Sequence, residues 1–304
     1  MENINTDEND AEDIKLEGAS LEQMMVECLE EIDQRISGDN LRSSGFRDFD
    51  SFGEFGKPGE VTVVAGVTGI GQLEFAINSS FFRAKSIVEA SKGFALGIYS
   101  TNSTNQSIFD KLVSAEGRIE ISKLKKGDLN EDEQDRLMNV SRYLSTVGGN
   151  IYLSTTRCID KIVKEIKSIA DNVDLNRSIF LISEIERVSG DDVPEKLKNL
   201  ALDSHISIVV TKTLHPKISK RPDKRPRISD IDDFNLMIAA DKIVFVYRDD
   251  YYNPQSENEG IAEILFSKNS DGKTGSFRLV WQPEYNSFFD FKSECEASNS
   301  SSKQ

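Results

Sequence analysis

The chain has 304 residues, of which 38% are hydrophobic, and this is enough for one large domain with a substantial core. Acidic residues outnumber basic ones by 52 to 37, so the net charge of −15 disfavours nonspecific binding of nucleic acids. The three cysteines are widely spaced and indicate neither a disulfide framework nor a zinc site. Because no apolar run is as long as a membrane span, the sequence predicts a soluble, cytoplasmic protein without membrane contact.

The first 44 residues are predicted to be an acidic tail followed by a linker helix. Residues 1–15 carry an excess of carboxylates and are predicted to be disordered. In residues 16–44, Ser20 and Gln23 form a capping-box pattern ahead of an apolar stripe at helical spacing. The stripe contains Leu21, Met25, Leu29, Ile32 and Ile36. It either packs on the protein's own core or docks on another subunit, and both alternatives stay open.

From Gly59 onward, short apolar runs alternate with amphipathic segments, which is typical of strand–helix crossovers. The predicted fold class is therefore α/β, with a mainly parallel sheet flanked by helices. It occupies residues 45–292 and precedes a disordered polar tail at 293–304. The predicted strands are Val61–Ala65, Phe94–Tyr99, Ile151–Ser154, Ile179–Ile182, Ile206–Val210, Ile243–Tyr247, Ile261–Phe266 and Phe277–Trp281. The predicted helices are Leu73–Ala90, Asn105–Ala115, Glu131–Leu144, Asp160–Asp171 and Pro194–Leu202.

A glycine-rich loop follows the first predicted strand. Gly66, Gly69 and Gly71 have the frame of the phosphate-binding pattern G-x-x-x-x-G-K-S/T, but Gln72 and Leu73 replace the lysine and the hydroxyl residue. A neutral amide and an isobutyl group can neither neutralise phosphate charge nor ligate Mg²⁺. Backbone N–H groups at the start of a helix can still hold phosphate, so weak binding of ATP or ADP without magnesium stays open.

The segment from Lys212 to Arg227 is strongly basic and contains interleaved prolines. Its cations are Lys212, Lys217, Lys220, Arg221, Lys224, Arg225 and Arg227, against one acid, Asp223. The composition predicts an exposed loop rather than a helix or strand. The loop either contacts nucleic acid or a partner, or it pairs with acidic groups of its own chain.

In its order of segments, the chain resembles the C-terminal, RecA-like motor domain of the DnaB-type hexameric replicative helicases. The resemblance covers Phe46 to Phe291 and is most specific in Arg221-Pro-Asp-Lys-Arg-Pro-Arg-Ile-Ser-Asp230 and Tyr247-Arg-Asp-Asp-Tyr-Tyr-Asn-Pro254. It implies that the N-terminal helix corresponds to the family's linker helix, which packs on a neighbouring subunit. It also implies that the family's N-terminal domain, which contacts primase, is missing.

The resemblance assigns active-site roles to residues of different chemistry. The phosphate lysine falls on Gln72, the magnesium hydroxyl on Leu73, the catalytic acid on Asn102, the Walker-B aspartate on Ser183 and the polar sensor on Lys212. Of two basic residues that reach a neighbour's nucleotide, one remains as Lys268 and the other falls on Ser270. In the loop that touches DNA, Asp232 and Asp233 disfavour phosphate contact.

These substitutions predict a catalytically inactive family member, a pseudo-helicase that is not an enzyme and needs no metal or cofactor. It would act in DNA replication as an adaptor, inhibitor or structural partner of a helicase or of its own kind. Two alternatives remain open. One is an ATP-dependent helicase or ATPase with a non-standard site, in which Lys212 or Lys268 supplies the missing cation and Glu184 the missing carboxylate. The other is a nucleotide-sensing module that binds without hydrolysis.

Overall fold

A computed structural model of the chain describes residues 43–90, 94–147, 150–170 and 178–291. It also describes part of a helix near the N-terminus, namely Leu21, Met25, Val26, Leu29, Ile32 and Asp33. The chain divides into two compact units, Met1–Asn40 and Leu41–Gln304. The tails predicted at 1–15 and 293–304 lie outside the described residues, as does Ile36.

The described part of the first unit is helical, as the stripe at helical spacing predicts. Its apolar side chains are exposed, from 40% for Ile32 to 76% for Leu21. An exposed apolar stripe on a helix is a surface on which another chain can pack.

The second unit alternates strands and helices along most of its length. Its strands are β1 (Val61–Gly66), β2 (Leu96–Tyr99), β3 (Ile151–Ser154), β4 (Ile179–Ile182), β5 (Ser207–Thr213), β6 (Lys242–Arg248), β7 (Ile261–Asn269), β8 (Gly275–Gln282) and β9 (Ser287–Asp290). Its α-helices are α1 (Arg47–Asp50), α2 (Gln72–Ala90), α3 (Asn105–Gly117), α4 (Ile121–Lys126), α5 (Glu131–Val147), α6 (Ile159–Ala170), α7 (Val193–Ser204), α8 (Phe234–Ala239) and α9 (Asp249–Tyr252). Within the described ranges, no helix is both long and apolar enough to cross a bilayer.

The nine strands described form one sheet in the order β3-β2-β4-β5-β1-β6-β7-β8-β9. The first six strands in this order are parallel to one another, and β7 to β9 add an antiparallel edge. The predicted α/β class with a mainly parallel sheet is confirmed. The central strands β1 and β4 are buried throughout, which is why they read as continuous apolar runs rather than alternating ones.

An aromatic cluster joins the segment before β1 to the antiparallel edge. Phe49 is fully buried, and its ring centroid lies 4.7 Å from that of Phe266 on β7. Phe75 on α2 contacts Phe46, at 5.5 Å, and Phe288 on β9, at 5.6 Å, between ring centroids. Burial of this much aromatic area fixes α2 against the sheet and so fixes the loop that precedes the helix.

Candidate functional site

The predicted glycine loop connects the carboxyl end of β1 to the first residue of α2. Gly69 and Gly71 have φ angles of +78° and +110°, which side-chain-bearing residues rarely adopt. A Cβ atom on Gly71 would also lie only 3.0 Å from Cζ of Phe288. The glycines are therefore required for the loop conformation, and the N–H groups at the start of a 19-residue helix lie at the end of the central strand.

Gln72 is the first residue of α2 and is only 7% exposed. A Cβ atom on Gly66 would lie 3.4 Å from Cβ of Gln72, so the base of this side chain lies against the start of the loop. No hydrogen bond of its side-chain amide is found among the described residues. Leu73, which follows, packs against the hydrophobic core. The loop therefore offers backbone and amide donors to a phosphate group, but no positive charge of its own.

The structure brings Asn102, Ser183 and Glu184 together at the carboxyl ends of β2 and β4. The Asn102 amide donates to Oε1 of Glu184 at 3.2 Å, and the N–H of Thr101 donates to Oγ of Ser183 at 3.1 Å. Glu184 has a left-handed backbone, with φ +46° and ψ +66°. Strain of this kind in a non-glycine residue is concentrated at functional sites. Glu184 is thus a carboxylate held in place at the strand ends, beside the two positions where the family's acids are expected.

Lys212 lies in strand β5, so the prediction that it belongs to an exposed loop is wrong. It is 7% exposed and pairs with Ala65, the residue before Gly66. Strand β5 continues past its apolar run into Thr211, Lys212 and Thr213. Because these residues are polar and are followed by prolines and cations, the sequence pattern does not show that the strand extends so far. The Lys212 Nζ lies 3.1 Å from Oδ1 of Asp232. A hydrogen bond from Lys212 and its charge lower the pKa of the Asp232 carboxyl, although partial burial opposes them.

Most of the remaining basic segment is neutralised within the chain. Arg221 makes two hydrogen bonds to Asp230, at 2.8 and 2.9 Å. Arg225 makes two to Glu263, both at 2.7 Å, and its guanidinium lies 4.9 Å from the centroid of the Tyr247 ring. Such paired contacts hold a planar guanidinium in one orientation. Arg227 reaches Asp223, and Lys224 lies over the Tyr252 ring, which favours the alternative of pairing within the chain.

Lys217 and Lys220 are the exposed cations of the basic segment for which no side-chain contact occurs among the described residues. Both lie in a 3-10 helix, Pro216–Lys220. Part of the segment therefore has regular structure, although a loop was predicted. Proline at the start of this turn and the ring of His215, which accepts from the N–H of Lys217, explain the local order.

Lys268 and Ser270 do not lie at the glycine loop of their own chain. Because β7 runs antiparallel to β6, Lys268 pairs with Ile243, near the amino end of β6. Its Nζ donates to the carbonyl of Met237, in α8, at 2.9 Å. Ser270 donates to Oε1 of Glu60 at 2.8 Å. Lys268 therefore lies apart from the glycine loop of its own chain, since strand direction places it towards the other end of the sheet. Its reach to a neighbour's nucleotide stays a prediction.

Asp233 caps helix α8 by accepting from the N–H of Leu236 at 2.9 Å, which explains an acid at this position. The structure also places Tyr251 and Trp281 beside the glycine loop. The hydroxyl of Tyr251 donates to the carbonyl of Thr68 at 2.9 Å. A Cβ on Gly71 would lie 3.9 Å from Cη2 of Trp281. No sequence signal could have found these contacts, which join residues far apart in the chain.

In the part of the chain that the structure describes, no cluster of three or more His, Cys, Asp or Glu could hold a metal ion.

The sheet topology and its likeness to solved structures define the chain as an α/β protein of the RecA-like fold. Residues 42–290 match the model of the DnaB-like helicase C-terminal domain. The chain belongs to this family.

Two curated relatives are replicative helicases of bacilli. The chain is 27% identical over 278 residues to the replicative DNA helicase DnaB of Geobacillus stearothermophilus, an alignment that covers 86% of this chain and 59% of that protein. It is 26% identical over 260 residues to the replicative DNA helicase DnaC of Bacillus subtilis, which covers 81% and 55%. The chain thus spans less than two thirds of the length of these relatives.

Two solved structures share the fold. One, the structure of an ATPase domain, superposes with a TM-score of 0.77 at 22% identity and covers 90% of this chain and all of that one. A DnaB-like replicative helicase, solved to study its interactions with primase, gives 0.74 at 22% identity and covers 90% and 68%.

The prediction that the chain is not an enzyme is contradicted by these comparisons. The relatives are named replicative DNA helicases, and helicases are enzymes. The substituted active-site positions do not remove the chain from an enzyme family.

Proposed function

We propose that this protein is a nucleotide-binding, helicase-type subunit that acts in DNA replication, in the cytoplasm, by assembling with copies of itself or with a replicative helicase. The observation that carries the proposal is the glycine loop, whose two left-handed glycines place helix α2 and its N–H groups at the end of the central strand. This arrangement binds ATP or ADP weakly and without requiring magnesium, because backbone donors can contact phosphate oxygens in the absence of a metal.

The assembly part of the proposal is supported by the N-terminal helix. Leu21, Met25, Leu29 and Ile32 form a stripe of exposed apolar side chains. An apolar stripe of this kind loses contact with water when it packs against another chain, which stabilises association by about 25 cal/mol for each Å² of apolar surface buried. Relatives named as replicative helicases support a helicase subunit as the proposed partner of this helix.

Native mass spectrometry of the protein alone, and after mixing with the replicative helicase of Geobacillus stearothermophilus, tests the assembly. We expect oligomers of the protein, mixed oligomers, or both. The variant Leu29→Glu places a carboxylate in the stripe and should abolish them while leaving the thermal unfolding of the main domain unchanged. Gln34→Glu, a change at a polar position of the predicted helix, is the matched control and should assemble like wild type.

Monomers only, in every mixture, would exclude the proposed assembly, and normal assembly by Leu29→Glu would exclude the stripe as its basis. The effect of mixed oligomers on unwinding distinguishes the finer roles. A faster rate indicates an adaptor, a slower rate an inhibitor, and an unchanged rate a structural partner.

A second candidate function is an ATP-dependent DNA helicase with a non-standard phosphate site. The observation that favours it is Lys212, a buried cation one residue from the end of the strand that pairs with β1. Phosphate release with single-stranded DNA tests it, and turnover above roughly 0.1 per second, well below the ~10 per second median of enzymes, would support it. Absence of release by the assembled protein would eliminate this candidate and leave the first.

A further inference from the structure

We infer that Lys212 supplies the positive charge of the phosphate site, and that Asp232 holds it in reserve until a nucleoside triphosphate binds. This inference rests on the proposed nucleotide binding and names the residue that recognises the triphosphate. In the absence of nucleotide the ammonium group pairs with Asp232; with nucleotide it moves to the polyphosphate.

Strand register places Lys212 next to the glycine loop. Lys212 pairs with Ala65, Thr213 pairs with Gly66, and the N–H of Leu214 donates to the carbonyl of Gly66 at 2.8 Å. The backbone of Lys212 is therefore fixed beside the point where β1 ends and the loop begins. A lysine carries its charge on a flexible four-carbon stem, so the ammonium group can change partner while the strand stays in place.

The ion pair of Lys212 is unequal, which makes it exchangeable. The lysine is buried, but the side chain of Asp232 is 69% exposed and lies in the irregular segment before α8. A carboxylate that is this exposed keeps much of its hydration, so its ion pair with Lys212 contributes little to stability. A triphosphate offers several charged oxygens to the same ammonium group and can replace the single carboxylate.

Other nearby cations have partners that hold them more firmly. Lys111 pairs with Glu74 in the first turn of α2, and both side chains are less than one fifth exposed. Arg248 makes two contacts to Asp250, both at 3.1 Å. Arg187 is bound to Glu184, three residues before it. Among the described residues around the loop, Lys212 combines proximity in the sheet with a partner that can be displaced.

The recruited charge should make binding depend on the number of phosphates. AMP can use the backbone N–H groups of the loop alone, whereas ATP adds the contact with Lys212. A charge-assisted hydrogen bond contributes about 1.5–3 kcal/mol, which corresponds to roughly 10- to 100-fold in affinity.

Nucleotide titration of the full chain tests this inference by intrinsic fluorescence, checked by calorimetry. The protein has a single tryptophan, Trp281, and it lies beside Gly71. Wild type should bind ATP roughly 10-fold or more tightly than AMP. Lys212→Met should bind AMP as wild type does but lose the preference for ATP, and Lys212→Arg should restore most of it. Asp232→Asn should bind ATP several-fold more tightly than wild type, because it removes the competing carboxylate.

Lys217→Met is the matched control, since it removes a cation of the exposed 3-10 turn that follows β5. It should bind ATP and AMP as wild type does. If wild type binds ATP more tightly than AMP and Lys212→Met keeps that preference, the inference is overturned while the proposed function stands. Unchanged ATP affinity in Asp232→Asn would overturn the role of Asp232 as the resting partner. If wild type binds no nucleotide, the proposed nucleotide binding itself fails.

Discussion

Two lysines in neighbouring parts of the sheet have opposite relations to their partners. Lys242, at the amino end of β6, is fully buried, with an ion pair to Glu60 and a second to Asp271 at 3.0 Å. Lys212, near the carboxyl end of β5, is also buried but reaches out to the exposed Asp232. At one end of the sheet, Lys242 belongs to a closed, buried network with two carboxylates. At the other end, Lys212 has one partner, and that partner is exposed.

The difference shows that burial alone does not tell a structural lysine from a functional one. In the closed network, Ser270 and Lys57 add further contacts to Glu60 and Asp271. Burial lowers the pKa of Lys57, but the charges of Glu60 and Asp271 outweigh it and raise the pKa overall. Removing Lys242 leaves the carboxylates of Glu60 and Asp271 without their fully buried partner. In the open pair, the partner of Lys212 can return to water, so the lysine is available to a ligand.

Breaking the closed network should have the largest effect. Lys242→Met leaves Glu60 and Asp271 without their fully buried partner, and we expect the free energy of unfolding to fall by about 3–5 kcal/mol. Urea denaturation monitored by circular dichroism measures the change. Lys212→Met is the matched comparison and should lose at most about 1 kcal/mol, because its counter-ion is exposed. Equal losses in the two variants would contradict the distinction between the closed and open pairs.

A change in the glycine loop should have an intermediate effect on stability and a strong effect on nucleotide binding. Gly71→Ala forces a side chain into a backbone at φ +110° and places Cβ 3.0 Å from Phe288, at a cost of about 1–3 kcal/mol. We expect weaker binding of ATP and of AMP, since the loop donors move. Gly272→Ala, at φ +97° with no heavy atom within 4 Å, carries the backbone strain without the contact. That control should keep nucleotide affinity, and a matching loss of affinity would show that the effect of Gly71→Ala is not specific to the glycine loop.

The smallest expected effect is on the pH dependence of stability, through the Asp271 carboxyl. Burial raises the pKa of the Asp271 carboxyl, but Lys242 and Lys57 outweigh it, so the pKa lies below its ordinary value. Because the folded pKa is below the unfolded one, the contribution is present above about pH 4 and is lost as the pH falls through that range.

Asp271→Asn should therefore be less stable than wild type at pH 7 and should lose less additional stability between about pH 5 and pH 3. Urea midpoints measured across this range give the comparison. Asp232→Asn, at the open pair, should follow the wild-type profile more closely because Asp232 is mostly in water. A steeper acid dependence in Asp271→Asn than in wild type would contradict the assigned shift.

Local pattern predicted much of the fold. The apolar runs gave the bounds of β3 and β4 to the residue, and amphipathic periodicity located the five longest helices of the main domain to within a few residues. The short helices α1, α4, α8 and α9 were not predicted, and neither was β9. Segments of four to six residues carry too few positions for periodicity, and their conformation depends on what they pack against.

The alternation of strands and helices, the glycine loop and the amphipathic helix follow from local sequence, because each is encoded by residues close together in the chain. Which charged groups meet depends instead on how distant segments pack. Arg225 forms a hydrogen bond with Glu263, which is 38 positions away in the sequence. The hydroxyl of Tyr251 donates to the carbonyl of Thr68, which is 183 positions away. Strand order brought Lys212 beside the start of the glycine loop, and strand direction carried Lys268 away from it. Backbone conformation follows local side-chain patterning, whereas the partner of a charged group depends on the path of the whole chain.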